Sequence, residues 1–104
     1  MSLNRREQAA TCDELAANLD RAGVTSTDVA TTLGLSNTRV DAALAVNAAR
    51  PEDVWLIRDY LDHVIRSHGS IPRPYSSLSE NMRAAAQAWF TLIDVDQAMK
   101  EAAR

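Results

Sequence analysis

Apolar residues recur at three- and four-residue steps along most of the chain, which is the spacing of helices with one buried face. The first stripe consists of Ala9, Cys12, Leu15, Ala16 and Leu19. It predicts a helix from about Arg5 to Ala22. Asn4 and Glu7 stand at the spacing of a capping box, and Gly23 is a typical helix stop. Since Cys12 lies on the stripe, we expect a buried structural thiol there.

Four more helical segments are predicted after the first. They lie at about residues 26–33, 37–46 and 50–67, with the fifth starting near residue 79. Pro51 fits the first position of the fourth helix, where its missing N–H costs no hydrogen bond. An extended loop is predicted at 69–78, because Pro72 and Pro74 both exclude helix. The acidic segment 94–96 is expected to kink or end the fifth helix.

The second and third segments have the spacing of a helix-turn-helix unit. Ala30 lies four residues before Gly34, and Val40 lies six residues after it. A small residue lets two steeply crossing helices approach, and glycine accepts the left-handed conformation of the turn. Its small core would consist of Val29, Leu33, Leu35, Val40 and Leu44. The pattern therefore predicts one all-α, five-helix domain, with a three-helix helix-turn-helix core at 1–48 and a C-terminal helical part at 49–104.

If the third helix enters the major groove of DNA, its N-terminal residues face the base edges. The candidates for base contacts are Ser36, Asn37, Thr38, Asp41 and Ala42. Asn37 can pair with adenine through two hydrogen bonds, and Thr38 can contact a base edge or a thymine methyl group. The candidates for phosphate contacts are Arg39, Arg5, Arg6, Arg21 and Arg50. Asp41 is unfavourable in this position, because its carboxylate repels DNA.

Composition limits the classes of function. The 104 residues suffice for one domain, and 11 Lys plus Arg against 14 Asp plus Glu give a net charge of −3. That charge excludes a strongly basic polyanion binder. One cysteine, no long apolar run and a polar start favour a cytoplasmic protein without membrane contact. Because no nucleophile elbow, glycine-rich phosphate loop or Cys/His cluster is present, we expect no enzyme activity, metal, cofactor or small-molecule ligand.

The fourth and fifth helices are apolar over wide arcs. The arcs contain Val54, Trp55, Leu56, Ile57 and Leu61, then Trp89, Phe90, Leu92 and Ile93. Since a domain of this length has little core to hide both, they predict a homodimer with recognition helices about 34 Å apart; a wholly intramolecular core is the alternative. Arg58 is expected to pair with an acid one turn away, such as Asp62. Asp59 and His63 share a helix face, but two ligands are weak evidence for a metal site.

A scattered set of residues resembles a known pattern. The set comprises Ser2, Leu3, Asn4, Thr11, Glu14, Leu15, Asn18, Leu33 and Gly34, then Asp53-Val54-Trp55, Arg58-Asp59-Tyr60-Leu61, Gly69, Pro72, Pro74, Tyr75 and Leu78. In these residues the chain resembles an uncharacterised bacterial family, domain of unknown function 2316. The resemblance covers about residues 2–78 and implies a small, cytoplasmic, all-helical protein with a helix-turn-helix-like core. It implies no activity and no functional residue.

Two functions fit the sequence. The first is a small transcriptional regulator that binds specific DNA sequences as a dimer. The alternative is a protein–protein interaction module that uses the same scaffold without DNA. Salt discriminates between them, because contacts with phosphates weaken steeply as ionic strength rises and apolar contacts do not.

Overall fold

The computed structural model describes residues 3–47 and 49–103, apart from the side chain of Trp89. Its helices are α1 (Arg5–Ala22), α2 (Ser26–Leu33), α3 (Asn37–Ala45), α4 (Pro51–Ser67), α5 (Arg83–Trp89) and α6 (Val95–Ala102), with a 3-10 turn at Glu80–Met82. The described residues form no strand, which confirms the all-α prediction. None of these helices is both long and apolar enough to cross a membrane.

The C-terminal region contains two helices where the sequence predicts one, so the predicted count of five is wrong. α5 ends at Trp89, Phe90 is extended, and α6 begins after Asp94. The Asp94 carboxylate accepts a hydrogen bond from the backbone N–H of Gln97 at 3.0 Å. A carboxylate in this position satisfies an N–H group that a helix start leaves open. The acid that the pattern assigns to a helix end therefore starts a helix.

The first four helices begin where the sequence predicts. Asn4 and Glu7 form a capping box at the start of α1, and Thr25 and Asp28 form one at the start of α2. Each box satisfies two backbone N–H groups that have no partner inside the helix. α3 ends one residue before its predicted end, because Val46 adopts the left-handed conformation with φ of +51°.

The buried face of α1 is partly polar. It consists of Thr11, Glu14, Leu15, Asn18 and Ala22. The predicted stripe is therefore wrong by about one position of rotation, and Cys12 is half-buried instead of buried. Asn18 exchanges two hydrogen bonds with the backbone of Arg73, its Nδ2 donating at 3.0 Å and its Oδ1 accepting at 2.7 Å. Asn18 and Glu14 turn inward because the loop between α4 and the 3-10 turn needs partners for its backbone, and Glu14 Oε1 accepts a hydrogen bond from the N–H of Ser76 at 3.1 Å.

α4 is the centre of the core. Its buried residues are Asp53, Val54, Trp55, Leu56, Ile57, Arg58, Tyr60, Leu61 and Ile65. α1, α3 and α6 pack against it, and Tyr75 and Leu78 of the loop are buried with it. The wide apolar arc is thus buried within one chain, so α4 offers no apolar interface of the kind the homodimer prediction assumes. Whether two chains pair stays a prediction.

α6 packs against α2 and the turn that follows it. Ala98 of α6 is buried, and Ala102 lies beside Gly34. A Cβ atom added to Gly34 would stand 3.2 Å from the Cβ of Ala102. Because Gly34 also has φ of +69°, both its backbone conformation and the approach of α6 favour glycine at this position.

Candidate nucleic-acid interface

A short turn joins α2 to α3. Gly34 ends α2 in the left-handed conformation, and the N–H of Leu35 donates to the carbonyl of Ala30 at 3.0 Å. Ser36 then caps α3, since its Oγ accepts a hydrogen bond from the N–H of Arg39 at 3.1 Å. The residues expected beneath the turn are buried or half-buried: Val29, Ala30, Leu33, Leu35, Val40 and Leu44. The turn and its cap therefore fix where α3 starts and which of its faces points outward.

Polar side chains at the start of α3 face solvent. Ser36, Asn37, Thr38 and Asp41 are exposed, and Ala42 is half-buried. Within the described residues, the side chains of Asn37, Thr38 and Asp41 make no hydrogen bond or ion pair. Asn37 and Thr38 lie four and three residues before Asp41, so each of them is a neighbour of Asp41 on the helix surface. The predicted base-contact residues other than Ala42 are thus exposed together at the N-terminal end of α3.

Arg39 is held by the core and is not an unpaired phosphate contact. Its Nε and Nη2 donate to the two carboxylate oxygens of Asp53 at 2.9 and 2.6 Å. The hydrogen bonds to Asp53 raise the pKa of Arg39 above its usual value. Asp53 is buried at the first turn of α4, whereas 38% of the Arg39 side chain is exposed. The pair therefore joins α3 to α4, and whether Arg39 also meets a phosphate stays a prediction.

The other candidate phosphate contacts differ in the hydrogen bonds and ion pairs that their side chains already make. Arg50 Nε donates to Glu52 Oε1 at 2.7 Å, and Arg21 Nη1 donates to the carbonyl of Ile71 at 3.0 Å. Arg5 and Arg6 are exposed, and neither side chain has an ion-pair or hydrogen-bond partner within residues 3–47 and 49–103. Of the five predicted arginines, these two are the least engaged.

The N-terminal end of α1, which carries Arg5 and Arg6, lies near the C-terminal end of α3. Leu3 and Gln8, at the N-terminal end of α1, line the same pocket as Val46 and Ala49, which follow α3. Asn37 and Thr38 stand at the other end of a nine-residue helix, and such a helix is about 14 Å long. The structure thus does not bring the predicted base contacts and the exposed cations together at one point.

Four charged side chains form a cluster between α4 and the start of α5. Arg58 Nη1 lies 2.9 Å from Asp59 Oδ1 and 3.1 Å from Glu80 Oε1. Arg83 Nη2 lies 2.6 Å from Asp59 Oδ1. The hydrogen bond from Arg83 lowers the pKa of Glu80, and its bonds to Glu80 and then Asp59 raise the pKa of Arg83. Ionised Glu80 therefore supports folding above its unfolded pKa, and this support is lost as the pH falls through the lower folded value.

This cluster corrects one expectation about α4, the partner of Arg58. Arg58 pairs with Asp59 instead of Asp62. The buried guanidinium of Arg58 is turned toward the 3-10 turn, where its Nε donates to the carbonyl of Leu78 at 3.0 Å. Asp62 binds Arg66 at 3.1 Å instead. Both oxygens of Asp59 accept hydrogen bonds from arginines, while His63 is exposed. Among the described residues, no three His, Cys, Asp or Glu side chains come together as a metal site.

An apolar pocket of about 320 Å³ opens between the N-terminal end of α1, the α3–α4 connection, α4 and α5. Its walls include Val46, Ala49, Val54, Trp55, Met82 and Ala86. The sequence pattern places these side chains on helix faces or in a dimer interface and predicts no pocket. No spacing in the sequence signals it, because the walls come from three separate segments of the chain, at residues 3–8, 46–55 and 77–90. The sequence also does not indicate that Asp53 is the partner of Arg39. An acidic residue is common in the first turn of a helix, so its presence there needs no other explanation.

The described residues form a small all-helical fold in which the polar N-terminal end of α3 is exposed to solvent. The chain belongs to the family described as "Uncharacterized protein conserved in bacteria (DUF2316)", whose model matches residues 1–91. This confirms the resemblance seen in the sequence. α6 lies beyond the matched residues. No curated protein and no solved structure matches the chain significantly.

Proposed function

We propose that this protein is a DNA-binding regulator whose α2, turn and α3 act as a helix-turn-helix unit. The observation that carries the proposal is the solvent-exposed start of α3, where Asn37, Thr38 and Asp41 make no intramolecular side-chain bonds within the described residues. Side chains that a fold leaves exposed and unbonded at a helix start can bond the edges of bases in the major groove.

Each exposed side chain has a chemical role in this proposal. The amide of Asn37 donates to N7 and accepts from N6 of adenine, and the methyl group of Thr38 contacts a thymine methyl. The carboxylate of Asp41 accepts a hydrogen bond from the N4 amino group of cytosine and is repelled by the acceptor atoms of guanine and thymine. Asp41 thereby adds selectivity at the expense of affinity.

The Arg39–Asp53 ion pair has a positioning role in the proposal. It fixes the first turn of α3 against α4, so that Asn37 and Thr38 keep one orientation when they meet DNA. A base contact requires such rigid support, because a small shift of the helix moves both side chains out of hydrogen-bond range.

Phosphate contacts are few in one copy. Arg5 and Arg6 are exposed without partners among the described residues, and Arg50 is held only by an exposed ion pair with Glu52 that DNA can displace. We therefore propose weak binding by a single chain and tighter binding by two chains on a twofold site. Two chains double the number of cations and the number of base contacts.

The protein-interaction alternative also has an observation in its favour. Arg39 is occupied by Asp53, and the chain carries a net charge of −3, so the electrostatic attraction to DNA is small. In this second proposal the exposed face of α3 binds a polar surface of another protein, and no duplex is selected.

Selection from random duplex DNA at low and moderate salt tests the two proposals. We expect enrichment of a defined motif, and for that motif we expect Asn37→Ala to weaken binding by about tenfold or more, the loss of one bidentate base contact. Asn47→Ala is the matched control, because Asn47 is exposed just after α3 and is expected to leave affinity unchanged. Circular dichroism checks that each variant is folded. Selection without an enriched motif, or equal effects of the two variants, contradicts the DNA proposal.

A further inference from the structure

We propose that the apolar pocket between α1, the α3–α4 connection, α4 and α5 binds a neutral, largely apolar molecule about the size of two fused aromatic rings. This inference does not rest on DNA binding, because it depends only on the shape and chemistry of the pocket. It gives the chain a ligand site that its sequence does not indicate.

The volume of the pocket sets the size of the ligand. The pocket holds about 320 Å³, which falls in the range of roughly 300–1,000 Å³ that is typical of small-molecule sites. An apolar cavity of about 150 Å³ binds benzene. A pocket roughly twice as large therefore suits a bicyclic ring, and a drug-sized molecule would extend into solvent.

The lining of the pocket sets the charge of the ligand. Among the described residues that line it, none carries a charged side chain, and Gln8 and Ser77 carry the two polar ones. A charged group buried there would lose its hydration without gaining a partner. Trp55 and Phe90 offer aromatic surfaces for stacking, and the Gln8 amide can bond one polar atom, such as a ring N–H.

Two of the residues that line the pocket, Trp55 and Val46, are held in place by their surroundings. The guanidinium of Arg83 lies 5.0 Å from the ring centroid of Trp55, and that of Arg58 lies 5.7 Å from it. Val46, on the opposite wall, has φ of +51°, a conformation that is strained for a β-branched residue. Such strain persists only where the surroundings fix the backbone.

Titration of the ¹⁵N-labelled protein with indole tests the proposal by nuclear magnetic resonance. We expect saturable shifts with a Kd on the order of 100 µM, the value for a ligand of this size at moderate efficiency. The largest shifts should fall on the amides of Ala49, Val54 and Ala86 and on the indole N–H of Trp55. At ten times Kd, indole should raise the Tm by roughly 5 °C, because it binds only the folded state.

Two variants and a second probe locate the site. Ala86→Phe fills the pocket and should weaken indole binding at least tenfold, whereas Ala84→Phe, on an exposed position of the same helix, should change it less than twofold. Indole-3-carboxylate should bind at least fivefold more weakly than indole, because its charge is not matched in the pocket.

Four results would overturn the inference. The first is that the NMR shifts of the unmodified protein do not saturate with indole, or that they fall on residues away from the pocket. This result does not depend on whether any variant folds. The second is an equal effect of Ala84→Phe and Ala86→Phe, and the third is equal binding of the carboxylate. The fourth is an indole affinity that falls as protein concentration rises, which would show that a second copy of the chain occupies the pocket instead.

Discussion

The ion pair between Arg39 and Asp53 links the helix that we propose to contact DNA to the central helix of the core. Two parallel N–H···O bonds hold the guanidinium, and the Asp53 side chain is 2% exposed. A buried carboxylate is tolerated only when it is paired and hydrogen-bonded. Arg39 therefore has a structural role, because it bonds Asp53. Asn37 and Thr38, which precede it in α3, make no such bond and stay exposed.

Removing Arg39 should therefore destabilise the domain. We expect Arg39→Ala to lower the free energy of unfolding by about 2–3 kcal/mol, less than the roughly 3–5 kcal/mol of a fully buried pair, because Arg39 is partly solvated. Urea unfolding followed by circular dichroism measures the change. Arg50→Ala is the control, since it breaks an exposed ion pair and should cost at most about 0.5 kcal/mol. Equal losses for the two variants would contradict a structural role for Arg39.

Adding Asp53→Asn to Arg39→Ala should restore part of the stability. The amide is neutral, so the double variant no longer buries an unpaired charge. No restoration would mean that the loss in Arg39→Ala comes from packing alone.

At the scale of helices, the sequence predicts the features that depend only on residues close together in the chain, such as helix starts. Asn4 with Glu7 and Thr25 with Asp28 are capping boxes within three residues, so their helices start as predicted. The inward face of α1 is different, because Asn18 turns in to bind a loop that lies 55 residues away along the chain. The sequence also does not predict that α6 is a separate helix. An acid such as Asp94, next to apolar residues, can stand at the start of one helix or after the end of another.

The contact between α6 and the turn after α2 can be measured with a pair of glycines. Gly23 and Gly34 both have φ of +69°, but a Cβ added to Gly23 meets nothing within 4 Å, whereas one added to Gly34 stands 3.2 Å from Ala102 Cβ. We expect Gly23→Ala to cost about 1 kcal/mol of stability from backbone strain alone. Gly34→Ala should cost roughly 0.5–1 kcal/mol more, because α6 must shift as well.

Ala102→Gly removes the atom that Gly34→Ala would strike. In the double variant, the extra cost of Gly34→Ala should disappear and only the backbone cost should remain. Urea unfolding of the four proteins gives this coupling energy. A coupling of zero would mean that α6 does not rest on the turn in solution.

At the scale of the whole molecule, the described side chains leave little exposed apolar surface for a second chain; the side chain of Trp89, which belongs to the predicted dimer interface, lies outside the described part. Within the described residues, the exposed large apolar side chains are Ile71 and Ile93. A stable interface buries about 800 Å² on each partner and has an apolar centre. The apolar face of α4, from which the sequence predicts a homodimer, is buried in the core of one chain, because α1, α3, α6 and a loop cover it. Sequence pattern shows that a helix face is apolar but not which neighbour covers it.

We therefore expect a monomer in solution and two chains only on DNA with a twofold site. Sedimentation velocity at micromolar concentration should give a single species near 11.4 kDa without DNA. With a labelled duplex that contains two copies of the selected motif about 10 base pairs apart, two chains should bind, and one chain should bind when one copy is scrambled. The slope of log affinity against log salt should be about twice as steep for the two-copy duplex, because two chains contact twice as many phosphates. A stable dimer without DNA, or one chain on both duplexes, would contradict this assembly.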